Sequence, residues 1–492
     1  MRHLIGLAVL AAGFAFIGPP PPARGDEAKP NVVWIIVDDM SANFSCYGER
    51  AVQTPNVDRM AREGLRFTKT FVTAPVCSAC RSALITGMYQ TSIGAQNHRS
   101  GRGVEKIHLP EGVEPIPALF KRNGYYTAIS GPLGEGKGDR LGKTDYNFEW
   151  DPAMYDGPDW SGRKPGQPFF MQVQLPGGKA REGKNWPARV RRELGEPTRE
   201  DAVQLAPYYP IDPVIIEDWA RYLDSVRLTD KQVGDVIARL EKEGILDQTV
   251  VFFMTDHGIS HARGKQFLYD EGLHVPLVIR GPGIPRGAVR SDLISQIDLA
   301  PTSLALAGIP IPKSMEAKNL LATEGTDRDA VFSARDRCDE TVEHLRSVRT
   351  QRFKYVRNGY PERPMLQPNR YKDDKAIIKR LRELHAEGKL NDLHERILFA
   401  PTRPKEELYD LNDDPYELNN RAADPGYSGM LEKLRNRLDE WIEATGDKGR
   451  NPEPAAMYDS DMAVYLNQTK GERAEILKRN IATMKRWEAE GK

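Results

Sequence analysis

Four cysteines in 492 residues are too few for a disulfide scaffold. They stand at Cys46, Cys77, Cys80 and Cys338, giving one close pair, Cys77-Ser-Ala-Cys80, and no second pair to complete a four-cysteine zinc clip. An excess of one charge is missing as well. Lys plus Arg and Asp plus Glu both total 70, so no overall field draws the chain to nucleic acid or to an anionic membrane, and an anionic partner has to be met by local clusters. Beyond residue 17 no stretch is apolar enough for a membrane span, and no internal repeat is visible.

The long apolar run that does exist covers residues 4 to 17. Arg2 and His3 precede it, and a proline break and the small-residue site Ala23-Arg24-Gly25 follow. This layout predicts a signal peptide over residues 1–25, cleaved after Gly25, and hence a periplasmic or secreted protein. No cysteine lies near the cleavage site to carry a lipid. Export gives the remaining question its edge, because an oxidising compartment would ordinarily pair Cys77 with Cys80.

With 39% hydrophobic and 28% charged residues, the chain can bury one large core and a second unit. "NVVWIIVDDM" (31–40) and "TVVFFMTDHG" (249–258) read as strands buried on both faces, each ending in acids. "YYTAISG", "PFFMQVQL" and "HVPLVIRGPG" are further strands. "TPNVDRMAREG" and "DWARYLDSVRLTDKQVGDVIARLEKEG" carry helical apolar spacing. The alternation predicts an α/β fold with a large, mostly parallel sheet flanked by helices, over residues 26–330. From 331 to 450, "AVFSARD", "LRSVRTQRFKYVRNG" and "EELYDLNDDPYELNN" predict a smaller antiparallel sheet, followed by the amphipathic "MLEKLRNRLDEWIEAT". Residues 451–492 form a polar, helix-prone tail.

In such a sheet, ligands bind at the carboxyl ends of the strands, where both acidic clusters fall. Asp38, Asp39 and Asp256 offer oxygens to a hard divalent cation, while His257 adds an imidazole more typical of transition metals. Cys77 opens a stretch of helical character, "CSACRSALITG", and a helix amino terminus favours anions. A structural or redox role for the cysteine pair stays open on these grounds alone.

"CSACRSALITG" resembles the signature of the formylglycine-dependent sulfatases, a branch of the alkaline-phosphatase-like superfamily, and heparan N-sulfatases and related bacterial enzymes in particular. "NVVWIIVDDM", "TPNVDRMAREGLRFTKTFV", "TDHG", "GKQFLYDEGLHVPLVIRGPG", "DLAPTSLALAG" and "ELYDLNDDPYELNN" match in the same order. The resemblance implies that Cys77 is oxidised by a formylglycine-generating maturation enzyme, so that one sulfur of the pair is used and does not remain sulfur. It implies a metal, Ca²⁺ before Mg²⁺ or another divalent ion, held by Asp38, Asp39, Cys77 (as formylglycine), Asp256 and His257. Arg81 would hold the formylglycine, and Lys265 would contact the sulfate and help protonate the leaving group. The implied reaction is hydrolysis of a sulfate ester or sulfamate of a sulfated glycan, with phosphate or phosphonate ester hydrolysis as the superfamily's alternative.

Two positions depart from that pattern. "LGKTDYNF" supplies Lys143 but places Asp145 where histidine is usual, with Lys137 of "GEGKGD" as a rival lysine. "QLPGGKAREGK" supplies Lys179 where many members have a histidine. His98 and His261 are candidates to take over contacts to sulfate or sugar. Two basic runs with interleaved aromatics, 179–194 and 346–364, are candidates to line a cleft for the glycan.

Overall fold

The computed structural model describes residues 29–133, 140–323 and 327–492. Residues 1–25, expected to be a signal peptide, and Lys137 lie outside the described residues.

Eight strands form the main sheet: β1 (Asn31–Val37), β2 (Leu65–Phe71), β3 (Tyr126–Ser130), β4 (Phe169–Leu175), β5 (Thr249–Thr255), β6 (His274–Arg280), β7 (Ala288–Arg290) and β8 (Ile294–Ser295). Their order is β3-β4-β1-β5-β6-β2-β7, with β8 also on β2. Every pairing is parallel except the two made by β6, which runs against β5 and β2.

The unbroken apolar runs follow from this position. In β1, Val33, Ile35 and Val37 enter one core with Val251 and Phe253 of β5, while Val32, Trp34 and Ile36 enter the opposite core with Val250 and Phe252. Helices α1 (Pro55–Glu63) and Pro213–Lys242 cover the first face through Val57, Met60, Trp219, Tyr222 and Val226. Helices α2 (Cys77–Thr86) and Leu299–Leu306 cover the second through Leu84, Ile85 and Leu304. Trp34, fully buried, donates its indole N–H to Ser303 Oγ at 2.9 Å. The sheet is the mostly parallel one expected, with helices on both faces. Strand β2 was not read from the sequence, because its "LRFTKTF" is only partly buried and breaks register against β6.

The second sheet is antiparallel, in the order β12-β11-β10-β9, and comprises β9 (Val331–Arg335), β10 (Leu345–Arg349), β11 (Phe353–Asn358) and β12 (Glu406–Asp410). The helix Ser428–Ala444 lies on it through Leu434, Leu438 and Trp441, whose ring stacks on Phe332 at 5.2 Å. The helices Ala455–Gln468 and Glu472–Ala489 of the polar tail share a small core of Tyr458, Met462, Leu477 and Met484. They also anchor the loop between β9 and β10: Tyr465 OH donates to Asp339, and Tyr458 OH to the Glu340 carbonyl.

This packing corrects the reading of the 346–364 run as a cleft lining. Arg346 is fully buried against Asp447 and Asp336, Lys354 against Asp270 and Glu417, and Arg363 donates to the carbonyls of Val342 and Lys492. Side chains of β10 and β11 point into the seams of the second sheet, where each buried cation must find an acceptor.

Candidate active site

Strands β4, β1 and β5 are adjacent, so their carboxyl ends deliver three short segments to one rim: Gly177 to Lys179, Asp38 and Asp39, and Asp256 and His257. Backbone bonds tie them together, Asp38 N–H to the Leu175 carbonyl (3.1 Å) and Asp256 N–H to the Val37 carbonyl (2.8 Å). Asp39 adopts φ 52°, in the left-handed region, and its N–H donates to Asp256 Oδ1 at 3.1 Å. The glycines before Lys179 have a steric reason. A Cβ on Gly177 would stand 2.1 Å from the Asp38 carbonyl oxygen, and one on Gly178 2.2 Å from that of Asp39.

Cys77 is the first residue of α2, with Val76 extended before it, so its side chain meets the rim at a helix amino terminus. Its sulfur lies 3.1 Å from His257 Nε2, 3.2 Å from Lys265 Nζ, 3.4 Å from Lys179 Nζ and 3.7 Å from Asp39 Oδ1. One turn on, Arg81 points the same way and binds Asp38, Asp256 and Gln174. Lys143 and Lys179 both reach Asp38 Oδ2, at 2.8 and 2.9 Å, and Lys265 reaches Asp39 Oδ1 at 3.0 Å. Three buried carboxylates thus face four cations. Burial opposes ionisation of Asp38 and Asp39, yet the neighbouring lysines hold both well below the usual carboxylate range. Burial likewise raises the Cys77 thiol, but Lys143, Lys179 and Lys265 outweigh it and bring the pKa down to about 7. The rim is built to carry an anion at residue 77.

The same residues suit a divalent cation. His257 Nδ1 sits 2.8 Å from the Gly258 carbonyl, which leaves Nε2 as the ligand nitrogen, 3.2 Å from Asp39 Oδ1 and 3.5 Å from Asp256 Oδ1. Asp39, Cys77 and His257 offer ligand atoms within 4.8 Å of one another, and Asp38 and Asp256 add hard oxygens beside them.

Cys77 and Cys80 are both free thiols. The Cys80 thiol is buried, turned away toward the Asp256 carbonyl and Gln296. Asp145, in the position where histidine was expected, has φ 55° and pairs with Arg102 at 2.5 Å and Lys143 at 3.6 Å, so it steers Lys143 toward Asp38. His98 is buried, its Nδ1 2.7 Å from Ser78 Oγ and its Nε2 3.7 Å from Asp339 Oδ1, in a group with Cys338 beside α2. His261 is placed apart from Cys77. Its Nε2 pairs with Asp218 at 2.7 Å and Arg181 at 3.1 Å, and the rings of Tyr209, Trp219 and Tyr222 surround it.

Three contributors carried no sequence signal. Tyr371 donates to Asp39 Oδ2 at 2.9 Å from 332 positions away, and Lys265 lies over its ring. Lys372 donates to the Lys265 carbonyl at 2.6 Å. Gln174, inside β4, completes the contacts of Arg81.

Glu340, in the loop below His98, accepts from Arg370 N–H and Asn480 through Oε1, while Oε2 has no partner among the described residues. Burial, with repulsion from Asp339, pushes its pKa up to about 7. A carboxyl raised in the folded state gives stability that is complete below its unfolded pKa and lost as pH rises through the folded value. Glu340→Gln is therefore expected to flatten the stability profile between about pH 4.5 and pH 7 and to exceed the native chain in stability above that range. Urea midpoints across this range check it, and parallel profiles would refute it.

The family profile described as Sulfatase matches residues 30–309, and one described as N-sulphoglucosamine sulphohydrolase, C-terminal, matches residues 257–367. An ulvan-active sulfatase of Formosa agariphila is 31% identical over 469 residues, covering 86% of this chain and 76% of that protein. Human N-sulphoglucosamine sulphohydrolase is 27% identical over 476 residues, covering 86% and 91%. Among solved structures, one in complex with its substrate D-glucosamine-2-N,6-O-disulfate aligns with TM-score 0.58 at 20% identity, covering 85% and 98%. The phosphonate monoester hydrolase of Agrobacterium radiobacter aligns with TM-score 0.57 at 19% identity, covering 85% and 96%. The last two share the fold, and the fold alone does not separate sulfuryl from phosphoryl chemistry. The profile match spans more than half of the chain and the Formosa relative 86% of it, with Cys77 and Arg81 on one helix facing the acids of β1 and β5: the chain belongs to the sulfatase family.

Proposed function

We propose that the protein is an exported sulfatase that hydrolyses a sulfate ester or sulfamate of a sulfated glycan, with heparan N-sulfatase-like specificity. The observation that carries this reading is the position of Cys77 at the start of α2, within 3.4 Å of Lys179, Lys265 and His257. The specificity rests on the match of residues 257–367 to the N-sulphoglucosamine sulphohydrolase profile and on the likeness to the human enzyme over most of both chains.

As a formylglycine hydrate, residue 77 would offer an attacking hydroxyl and, through its second hydroxyl, a means of expelling sulfate, and Asp38, Asp39, Asp256 and His257 would hold a divalent cation that supplies Lewis-acid charge. Lys265, buried and fixed on Asp39, is kept protonated by that carboxylate despite its burial, and binds a sulfate oxygen. Arg81 orients Asp38 and Asp256. Lys143 and Lys179 are partly exposed and reach in from the substrate side. Lys179, held charged by Asp38 and Asp39, replaces the histidine usual at this point and hands its proton to the departing oxygen or nitrogen. His98, kept neutral by burial and standing beside Asp339, is the histidine assigned to contact the sugar in this reading.

Sulfate release from two heparin-type saccharides, one carrying only N-sulfate and one only O-sulfate, tests this on matured, metal-loaded protein. Release from the first with a new free amine is the expected result. Release from the O-sulfated saccharide alone makes the enzyme an O-sulfatase and discards the N-sulfatase specificity.

A further inference from the structure

A cavity of about 390 Å³ adjoins the candidate active site on the far side of Tyr371. The tyrosine is their common wall: its hydroxyl donates to Asp39 Oδ2, and its ring lies 4.7 Å from Lys265 Nζ and 4.0 Å from Lys375 Nζ. Five cations line the cavity and three carboxylates answer them. Arg181 pairs with Asp218 at 3.6 Å, Lys375 with Glu182, and Arg473 with Asp374 at 3.2 Å. Two guanidinium groups are left. Arg221 touches the Arg181 carbonyl at 3.2 Å and Glu217, outside the cavity, at 3.8 Å. Arg370 has no carboxylate partner among the described residues, and its buried Nε has no hydrogen-bond partner.

In a chain of zero formal net charge, such an excess at the edge of a sulfate-handling rim selects an anion. Arginine suits it, because the planar fork binds carboxylate and sulfate oxygens in pairs. We propose that this cavity is a subsite for a second anionic group of the substrate, a carboxylate or a further sulfate, held by Arg370 and Arg221 and set apart from the reacting sulfate by the width of the Tyr371 side chain. The inference rests on the proposed sulfatase reading and adds that the substrate is multiply anionic.

Three probes test it: a monosulfated glucosamine methyl glycoside, the same sugar linked to glucuronic acid, and the same sugar with a second sulfate. Arg370→Gln and Arg221→Gln are each expected to raise KM for a doubly charged probe about tenfold more than for the singly charged one, with the change in KM rather than kcat. The doubly charged probe that loses more identifies carboxylate or sulfate as the occupant. An unchanged ratio of kcat/KM between the probes in both variants overturns the subsite. A parallel binding measurement on the full chain carrying Cys77→Ala, with and without Arg370→Gln, uses the same three sugars. Selective binding of the doubly charged sugars that Arg370→Gln abolishes, without turnover by the parent protein, upholds the subsite while the sulfatase reading fails. Equal binding of all three overturns the subsite whatever the turnover.

Discussion

Cys77→Ser is expected to lower sulfate release by about four to six orders of magnitude, the scale seen when a covalent nucleophile is removed. The serine hydroxyl occupies nearly the same place and keeps the lysines that favour an anion there, so substrate binding should survive. What it lacks is a second oxygen on the same carbon. After transfer, a serine sulfate has no internal route for expelling the group, whereas a hydrated aldehyde re-forms its carbonyl and releases it. The variant should therefore trap one equivalent of sulfate or none. Peptide mass at residue 77 in protein from a host with the maturation enzyme should show H₂S replaced by O. Full turnover by Cys77→Ser, or by protein in which residue 77 is unmodified cysteine, would remove formylglycine from the mechanism.

Asp39→Asn is expected to abolish activity and, independently, to cost about 3–5 kcal/mol of stability in metal-free protein. Asp39 is fully buried and takes Lys265 at 3.0 Å, His257 at 3.2 Å, Lys179 at 3.4 Å and the Tyr371 hydroxyl at 2.9 Å. An amide keeps the shape but removes the charge, leaving the buried ammonium of Lys265 against a neutral group. Its NH₂ also meets donors on one side where the carboxylate met them on both. Urea unfolding of the two proteins without metal measures the loss. An unchanged midpoint would mean that the lysines deprotonate or move at little cost, and that the fixed cationic rim drawn here is not maintained.

The central sheet was legible because burial on both faces leaves an unambiguous pattern. Two fully buried seven-residue runs dominated by β-branched and aromatic residues, each followed by an acid, place two strands side by side with their acids at one rim. The helix start at Cys77 was legible too, from the small residues behind it. Strand β2, with alternating polar positions and a register break, carried no comparable signal. The basic run 346–364 misled, since composition gives the number of cations and not which way a strand turns them. Alternation along β10 and β11 put Arg346 and Lys354 inside, where acids from distant segments meet them.

The sequence by itself determined the local chemistry: the acids at the ends of β1 and β5, the cysteine four residues before Arg81, and Lys265 a short turn beyond His257. Each depends on neighbours in the chain, so strand and helix periodicity fixes how the side chains project. Tertiary structure alone decided which groups complete the site. Tyr371 and Lys372 arrive on one element and Gln174 on another, and the glycine turn after β4 brings Lys179 to Asp38. Contacts between positions hundreds of residues apart are set by how two sheets and a helical tail pack, and no local pattern of residues records that packing.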